Sequence, residues 1–325
     1  MLIPSLWVKL LLVKTLLTES PEAAAEVIKK GGLAAFPTET VYGLGANVFD
    51  KKAVANIFTA KNRPADNPLI AHVGDIAQIA QLAAEMPPAA HKFADAFFPG
   101  PLTLVLKKSI RVPKIATAGL DSIGVRMPRN ETARRFLQFC GVPVVAPSAN
   151  LSGNPSPTTW QAVNEDLNGR IDCILMGPPA EIGLESTVVD CTADAPVVLR
   201  LGAVSLEKLR EIVPETGIYF PKSGETPKSP GLRHKHYSPK ARVKIYSKES
   251  AGDVPPSSAF IGLHLPAHSF KWIKICRDAE EYAHFLFAFF RECDRRNAEI
   301  IFCEEIDEGG IGAALMDRIR RAAEK

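Results

Sequence analysis

From residue 21 onward, short apolar runs alternate with stretches whose apolar positions recur every three or four residues. The runs at 33–42 (LAAFPTETVY), 68–73, 102–108, 122–128, 142–148, 173–176, 186–191 and 197–202 predict strands. They are rich in Val, Ile and Leu and are bounded by turn residues. The stretches 21–30, 50–61, 75–85, 89–98, 131–140 and 205–213 carry helical spacing instead. Alternation of this kind predicts an α/β domain, a sheet covered by helices.

The pattern stops at 214–241, where five prolines and three glycines stand in a stretch without period. That composition predicts a linker. Alternation then resumes on a smaller scale, with strands expected at 243–247, 259–263, 272–276 and 299–306 and a closing helix from 310. Ahead of the fourth strand, Tyr282, Phe285, Leu286, Phe289 and Cys293 fall at helical spacing, which reads as a core face. The division is therefore 14–213, linker 214–241, and a small α/β domain at 242–325.

The 325 residues exceed what one core usually supports, roughly 250–300. A hydrophobic share of 46%, a charged share of 23% and a net charge of +3 describe an ordinary globular chain, not a polyanion binder. The six cysteines are scattered without a C-x-x-C pair, which argues against zinc and a disulfide framework and predicts reduced thiols in a cytoplasm. No apolar run reaches the roughly 18–20 residues of a membrane span, so no membrane partner is expected. The opening MLIPSLWVKLLLVKTLL is interrupted by Lys9 and Lys14 and reads as a lead into a first strand near 13–17, not as a secretory signal.

Familiar catalytic motifs are missing. No G-x-x-x-x-G-K-[ST], G-x-S-x-G or H-E-x-x-H occurs, and YGLGANV lacks the third glycine of a dinucleotide fingerprint. Four other segments concentrate chemistry. FPTETVYGLGAN sets Thr38 and Thr40 about Glu39. KNRPADNPLIAH places Lys61 and Arg63 two residues apart, where an extended chain would aim both at one anion. GVRMP holds Arg126 in an apolar strand, where it needs a carboxylate or phosphate. APSANLSGNPSPT spaces Ser148 and Asn150 in the same way and adds Ser152 and Ser156. Together they propose a cleft for phosphates and a small carboxylate, which arginine holds bidentately. The basic runs RECDRR and RIRR read as solvated helix faces.

These segments, with STVVD and VVLRLG, resemble the YrdC-like domain of threonylcarbamoyl-AMP synthases. Lys61-x-Arg63 with Ser148-x-Asn150 is similar to that family's K-x-R…S-x-N tetrad. The likeness continues through SPGLRHKHYSP to GIGAALMDRIRRAA, as in the family's two-domain form. The resemblance implies a YrdC-like twisted sheet with flanking helices around a basic cleft, followed by a smaller Rossmann-like α/β domain. It also implies a nucleotidyltransferase that makes threonylcarbamoyl-AMP and pyrophosphate from L-threonine, bicarbonate and ATP. That product would serve threonylcarbamoyladenosine modification of tRNA by other proteins, with weak or no direct tRNA binding here.

Carried over by position, Lys61, Arg63, Ser148 and Asn150 form the implied catalytic set. Thr40, His72, Arg126, the backbone at Ala146 and Ser186 would hold L-threonine. Asn67, Ser122, Ser156 and Arg200 would join the catalytic set around ATP, with His236 and Tyr237 closing over it from the linker. The implied cofactor is Mg²⁺, carried on the ATP phosphates and held by no protein side chain.

Overall fold

The computed structural model describes residues 14–219, 237–247 and 254–324. The first sheet takes β1 (Leu16–Thr18), β2 (Ala34–Phe36), β3 (Gly43–Asn47), β4 (Ile70–His72), β5 (Leu102–Lys107) and β6 (Ser122–Arg126). It continues with β7 (Val144–Val145), β8 (Cys173–Leu175), β9 (Thr187–Asp190), β10 (Val197–Arg200) and β11 (Gly217–Ile218). Its helices are α1 (Pro21–Lys29), α2 (Lys51–Lys61), α3 (Ile79–Leu82), α4 (Pro88–Phe97), α5 (Glu131–Cys140), α6 (Trp160–Leu167) and α7 (Leu206–Ile212). The strand order is β1-β8-β2-β3-β7-β4-β6-β5-β9-β10-β11, with parallel and antiparallel pairs mixed.

Local chemistry explains the main elements. Asn130 accepts a hydrogen bond from the Ala133 amide at the start of α5, and Gly141, at φ 68°, ends it in the left-handed region. Between these caps Ala133, Phe136, Leu137 and Cys140 lie on one buried face. That face and Ala24, Ala25 and Ile28 of α1 cover Ala34 and Phe36 of β2. Ala35, pointing the other way, joins the larger core on the opposite side.

Two expected elements differ. The strand foreseen over 33–42 ends at Phe36, and Gly43–Asn47, not foreseen as a strand of its own, supplies β3, the antiparallel partner of β2. Pro37 cannot donate to the ladder, and the Thr38 hydroxyl receives the amides of Thr40 and Val41, so the chain turns there. The helix foreseen at 75–85 shortens to a 3-10 turn and α3, because Ala83 bridges to Lys108.

The second sheet contains β12 (Arg242–Tyr246), β13 (Ser258–Gly262), β14 (Trp272–Ile275) and β15 (Ile300–Glu304), all parallel in the order β12-β15-β13-β14. Helices α8 (Ala279–Arg295) and α9 (Gly312–Ala323) pack on it. The stripe of α8 is a core face as its spacing predicts: Tyr282, Leu286, Phe289 and Cys293 are buried. All six cysteines are free and buried.

The two sheets' layers meet through α8 and α9. Gly183, at φ 83°, runs against α8 so closely that a Cβ there would lie 2.5 Å from the His284 carbonyl oxygen. The buried Arg291 donates to both Asp166 oxygens at 3.1 and 2.9 Å, and to the Pro155 carbonyl at 2.6 Å. In the run RECDRR, expected on a solvated face, this arginine instead crosses to the first sheet's layer.

Removing one partner of a buried pair typically costs about 3–5 kcal/mol, since the other is left charged and desolvated. Arg291→Ala should therefore loosen the α8 contact and bring on an earlier calorimetric unfolding transition. A melting profile superimposable on that of the unaltered protein would refute the pair's role.

Candidate active site

Three ends of the first sheet's strands converge. β4 and β6 run parallel with His72 opposite Arg126. The turn after β2 and the strand end of β7 close over them, with the Ala146 amide donating to the Ile70 carbonyl at 2.8 Å. The Thr38 hydroxyl donates to the Val41 carbonyl at 2.6 Å and lies 2.8 Å from the Thr40 hydroxyl, which fixes Thr40 on the wall.

Arg126 finds the partner its burial demands in Glu39, at 2.8 Å, with side-chain exposures of only 5% and 0%. The second Glu39 oxygen is buried with no partner among the described residues. His72 packs edge-on to Phe36, and its Nδ1 donates to the Ile70 carbonyl at 3.2 Å. Burial, reinforced by the neighbouring Arg126, pulls the imidazole down to about 3, so the ring is neutral.

Lys61 and Arg63 do not lie on an extended segment. Lys61 is the last residue of α2, and Asn62 caps the helix in the left-handed region at φ 51°. The Arg63 amide returns to the Phe58 carbonyl at 2.9 Å. This reversal separates the two cations. Lys61 is buried and donates to the carbonyls of Ser148, at 2.6 Å, and Asn150. Burial first, and then the Arg63 charge, pull its ammonium well below the usual value. Arg63 stands on the cleft wall, and burial outweighs Tyr237 and Asp66 to pull it down to about 10. Its Nε and the amide nitrogen of Asn67 are enclosed without a partner among the described residues.

The turn after β7 is tied internally. Ser148 donates to the Asn150 side-chain oxygen at 2.5 Å, and the Asn150 amide donates to the carbonyls of Leu151 and Asn154. Across the cleft, Ser156 donates to Glu185 at 2.6 Å. Arg200, at the end of β10, donates through Nε and Nη2 to the Ser186 carbonyl at 3.1 and 3.0 Å. Burial would raise the Glu185 carboxyl, but Arg318, Arg200 and Ser156 outweigh it and hold the group below its usual value.

Thr40, Arg63, His72, Arg126, Ala146, Ser148, Asn150, Ser156, Ser186, Arg200 and Tyr237 thus line one cleft, with about 700 Å³ of unfilled space including its mouth. Lys61 and Asn67 are buried behind the wall, and Ser122 opens β6 at the end opposite Arg126. His236 lies outside the described residues.

Sequence reading did not single out Glu39, Glu185 or Asp166 as partners. Their arginines lie far away in the chain, so no local spacing reveals the pairs. The only signals were Glu39 set between two threonines and Glu185 immediately before Ser186. Among the described residues, no three His, Cys, Asp or Glu side chains gather as a metal site. Of the nearby carboxylates, Glu39 pairs with Arg126 and Glu185 with Arg318.

Comparison with known proteins gives one answer along most of the chain. The family model described as telomere recombination, covering Sua5, YciO and YrdC, matches residues 26–202, and the model for the threonylcarbamoyl-AMP synthase C-terminal domain matches 204–324. The threonylcarbamoyl-AMP synthase of Pyrococcus abyssi is 42% identical over 316 residues, 92% of this chain and 93% of that protein. The Bacillus subtilis enzyme of the same name is 36% identical over 94% of both. The solved structure of P. abyssi Sua5 complexed with L-threonine superposes with a TM-score of 0.87 at 40% identity, over 95% of this chain and 97% of that one. No helix among the described residues is long and apolar enough to cross a membrane. The chain belongs to the threonylcarbamoyl-AMP synthase family in its two-domain form, a family of nucleotidyltransferases.

Proposed function

We propose that this protein makes threonylcarbamoyl-AMP and pyrophosphate from L-threonine, bicarbonate and ATP, and that other proteins transfer the product's threonylcarbamoyl group to tRNA. The observation that carries the reading is a single cleft with two differently equipped groups of residues. Thr40, neutral His72, the Ala146 backbone and Arg126 stand together. Arg126 uses Nη2 on Glu39, leaving Nη1 for a threonine carboxylate. Arg63, Arg200, Ser148, Asn150, Ser156 and Tyr237 line the same cleft and in this reading take the nucleotide and its phosphates.

In this reading the threonine nitrogen attacks the bicarbonate carbon and water leaves, giving the carbamate. A carbamate oxygen then bonds to the α-phosphorus as the bond to pyrophosphate breaks. Neither step requires a protein nucleophile. Positioning the reactants and neutralising phosphate charge do most of the work, and a closed cleft protects the short-lived carbamate from water. Lys61 adds its charge from behind the Ser148–Asn150 turn that it holds by two carbonyls. Ser186 lines the cleft and receives Arg200 at 3.2 Å, and Ser122 lies further off on β6. Mg²⁺ would arrive on the ATP phosphates and offset their charge.

The primary test is pyrophosphate release with L-threonine and bicarbonate each omitted in turn. Release that needs both supports the synthase, whereas release indifferent to threonine overturns it. Arg63→Ala should lower turnover by about 10²–10³ with the fold intact, as loss of a preorganised donor does; a near-normal rate would remove Arg63 from the site. The pH dependence is also set. His72 stays neutral down to about 3, so the threonine KM should show no step near the ordinary imidazole value of about 6.5. A step there that disappears in His72→Asn would contradict the neutral ring.

A further inference from the structure

Helix α9 belongs to the second domain, yet its Arg318 is wholly buried against the first. We infer that Arg318 is a positioning residue for the nucleotide end of the cleft, so that the second domain completes the active site and does more than cover it. The inference rests on the reading that this end takes ATP.

The guanidinium contacts the wall at three places. Nε donates to Glu185 Oε2 at 2.9 Å, and the other oxygen of that carboxylate receives the Ser156 hydroxyl at 2.6 Å. Nη2 donates to the carbonyl of Leu201 at 2.8 Å, fixing the residue that follows Arg200. The guanidinium carbon also stands 5.2 Å from the centre of the Tyr237 ring, which stacks on Phe287 of α8 at 5.4 Å and 21°. Nη1 is held by Asp317 at 2.6 Å, so the group has little freedom to turn away.

Ser156, Arg200 and Tyr237 therefore share one organiser. Each lines the cleft. Tyr237 holds a left-handed backbone at φ 65°, unusual for a bulky residue, so its placement depends on such side-chain contacts. A fixed planar fork is needed to reach a carboxylate, a carbonyl and an aromatic face at once. Lysine supplies the charge without that geometry.

The test compares the full-length protein with Arg318→Lys by calorimetric titration, using a non-hydrolysable ATP analogue and, separately, L-threonine. Loss of a buried charged hydrogen bond predicts analogue binding weaker by about tenfold to a hundredfold, with threonine affinity within about twofold. Unchanged analogue binding would overturn the inference. An equal loss for both ligands would also overturn it, since a merely structural role lowers them together. Glu185→Gln keeps Arg318 and its Leu201 contact, and should give the same split more weakly; no split there overturns the proposed relay. Combining the two substitutions should add little beyond Arg318→Lys alone, whereas full additivity would show that they act separately. These titrations need no turnover, so the ratio between variant and parent reports on Arg318. Pyrophosphate release from the unaltered protein reports on the synthase reading.

Discussion

Gathering cations about one enclosed cleft is the constraint on which the rest of this structure depends. Lys61, Arg63, Arg126 and Arg200 repel one another and lose water as they approach, so each needs compensation from the protein. Lys61 receives it from two carbonyls, Arg126 from Glu39, and Arg200 from the Ser186 carbonyl. What remains unmatched is confined to a few groups, among them Arg63 Nε and the Asn67 amide.

The sheet meets this demand by bringing strand ends together. Parallel pairing of β4 with β6 sets His72 beside Arg126, while the antiparallel β2–β3 hairpin swings Thr38–Tyr42 over the same edge. Internal bonds around Thr38 and Asn150 hold the two cleft-facing turns, so their groups keep position without the help of a ligand. The buried core beneath them is conventional, alternating along β2 between the helical layer and the larger core.

The second domain enters the same electrostatic account. Arg291 and Arg318 extend from α8 and α9 to Asp166 and Glu185, two carboxylates beside the cleft's turns. Docking the domain is therefore coupled to the charge balance of the site. A contact of this kind, buried and geometrically exacting, favours one relative arrangement of the layers over looser ones.

The sequence by itself determined the α/β alternation and the core stripe of α8, and it picked out the segments whose residues line the cleft, while the first sheet runs past the expected break near 214 into β11. Hydrophobic period and turn residues are local properties, and the motifs are contiguous. Tertiary structure alone decided which charges meet. The pairs Glu39–Arg126, Glu185–Arg318 and Asp166–Arg291 span 87, 133 and 125 residues, and nothing near either member announces the other. The solvated reading of Arg291 and Arg318 failed for that reason: an arginine's surroundings are set by where its helix docks. Lys61 and Arg63 parted for a subtler cause. Asn62 tolerates the left-handed region and caps α2, turning an expected extended tripeptide into a helix end.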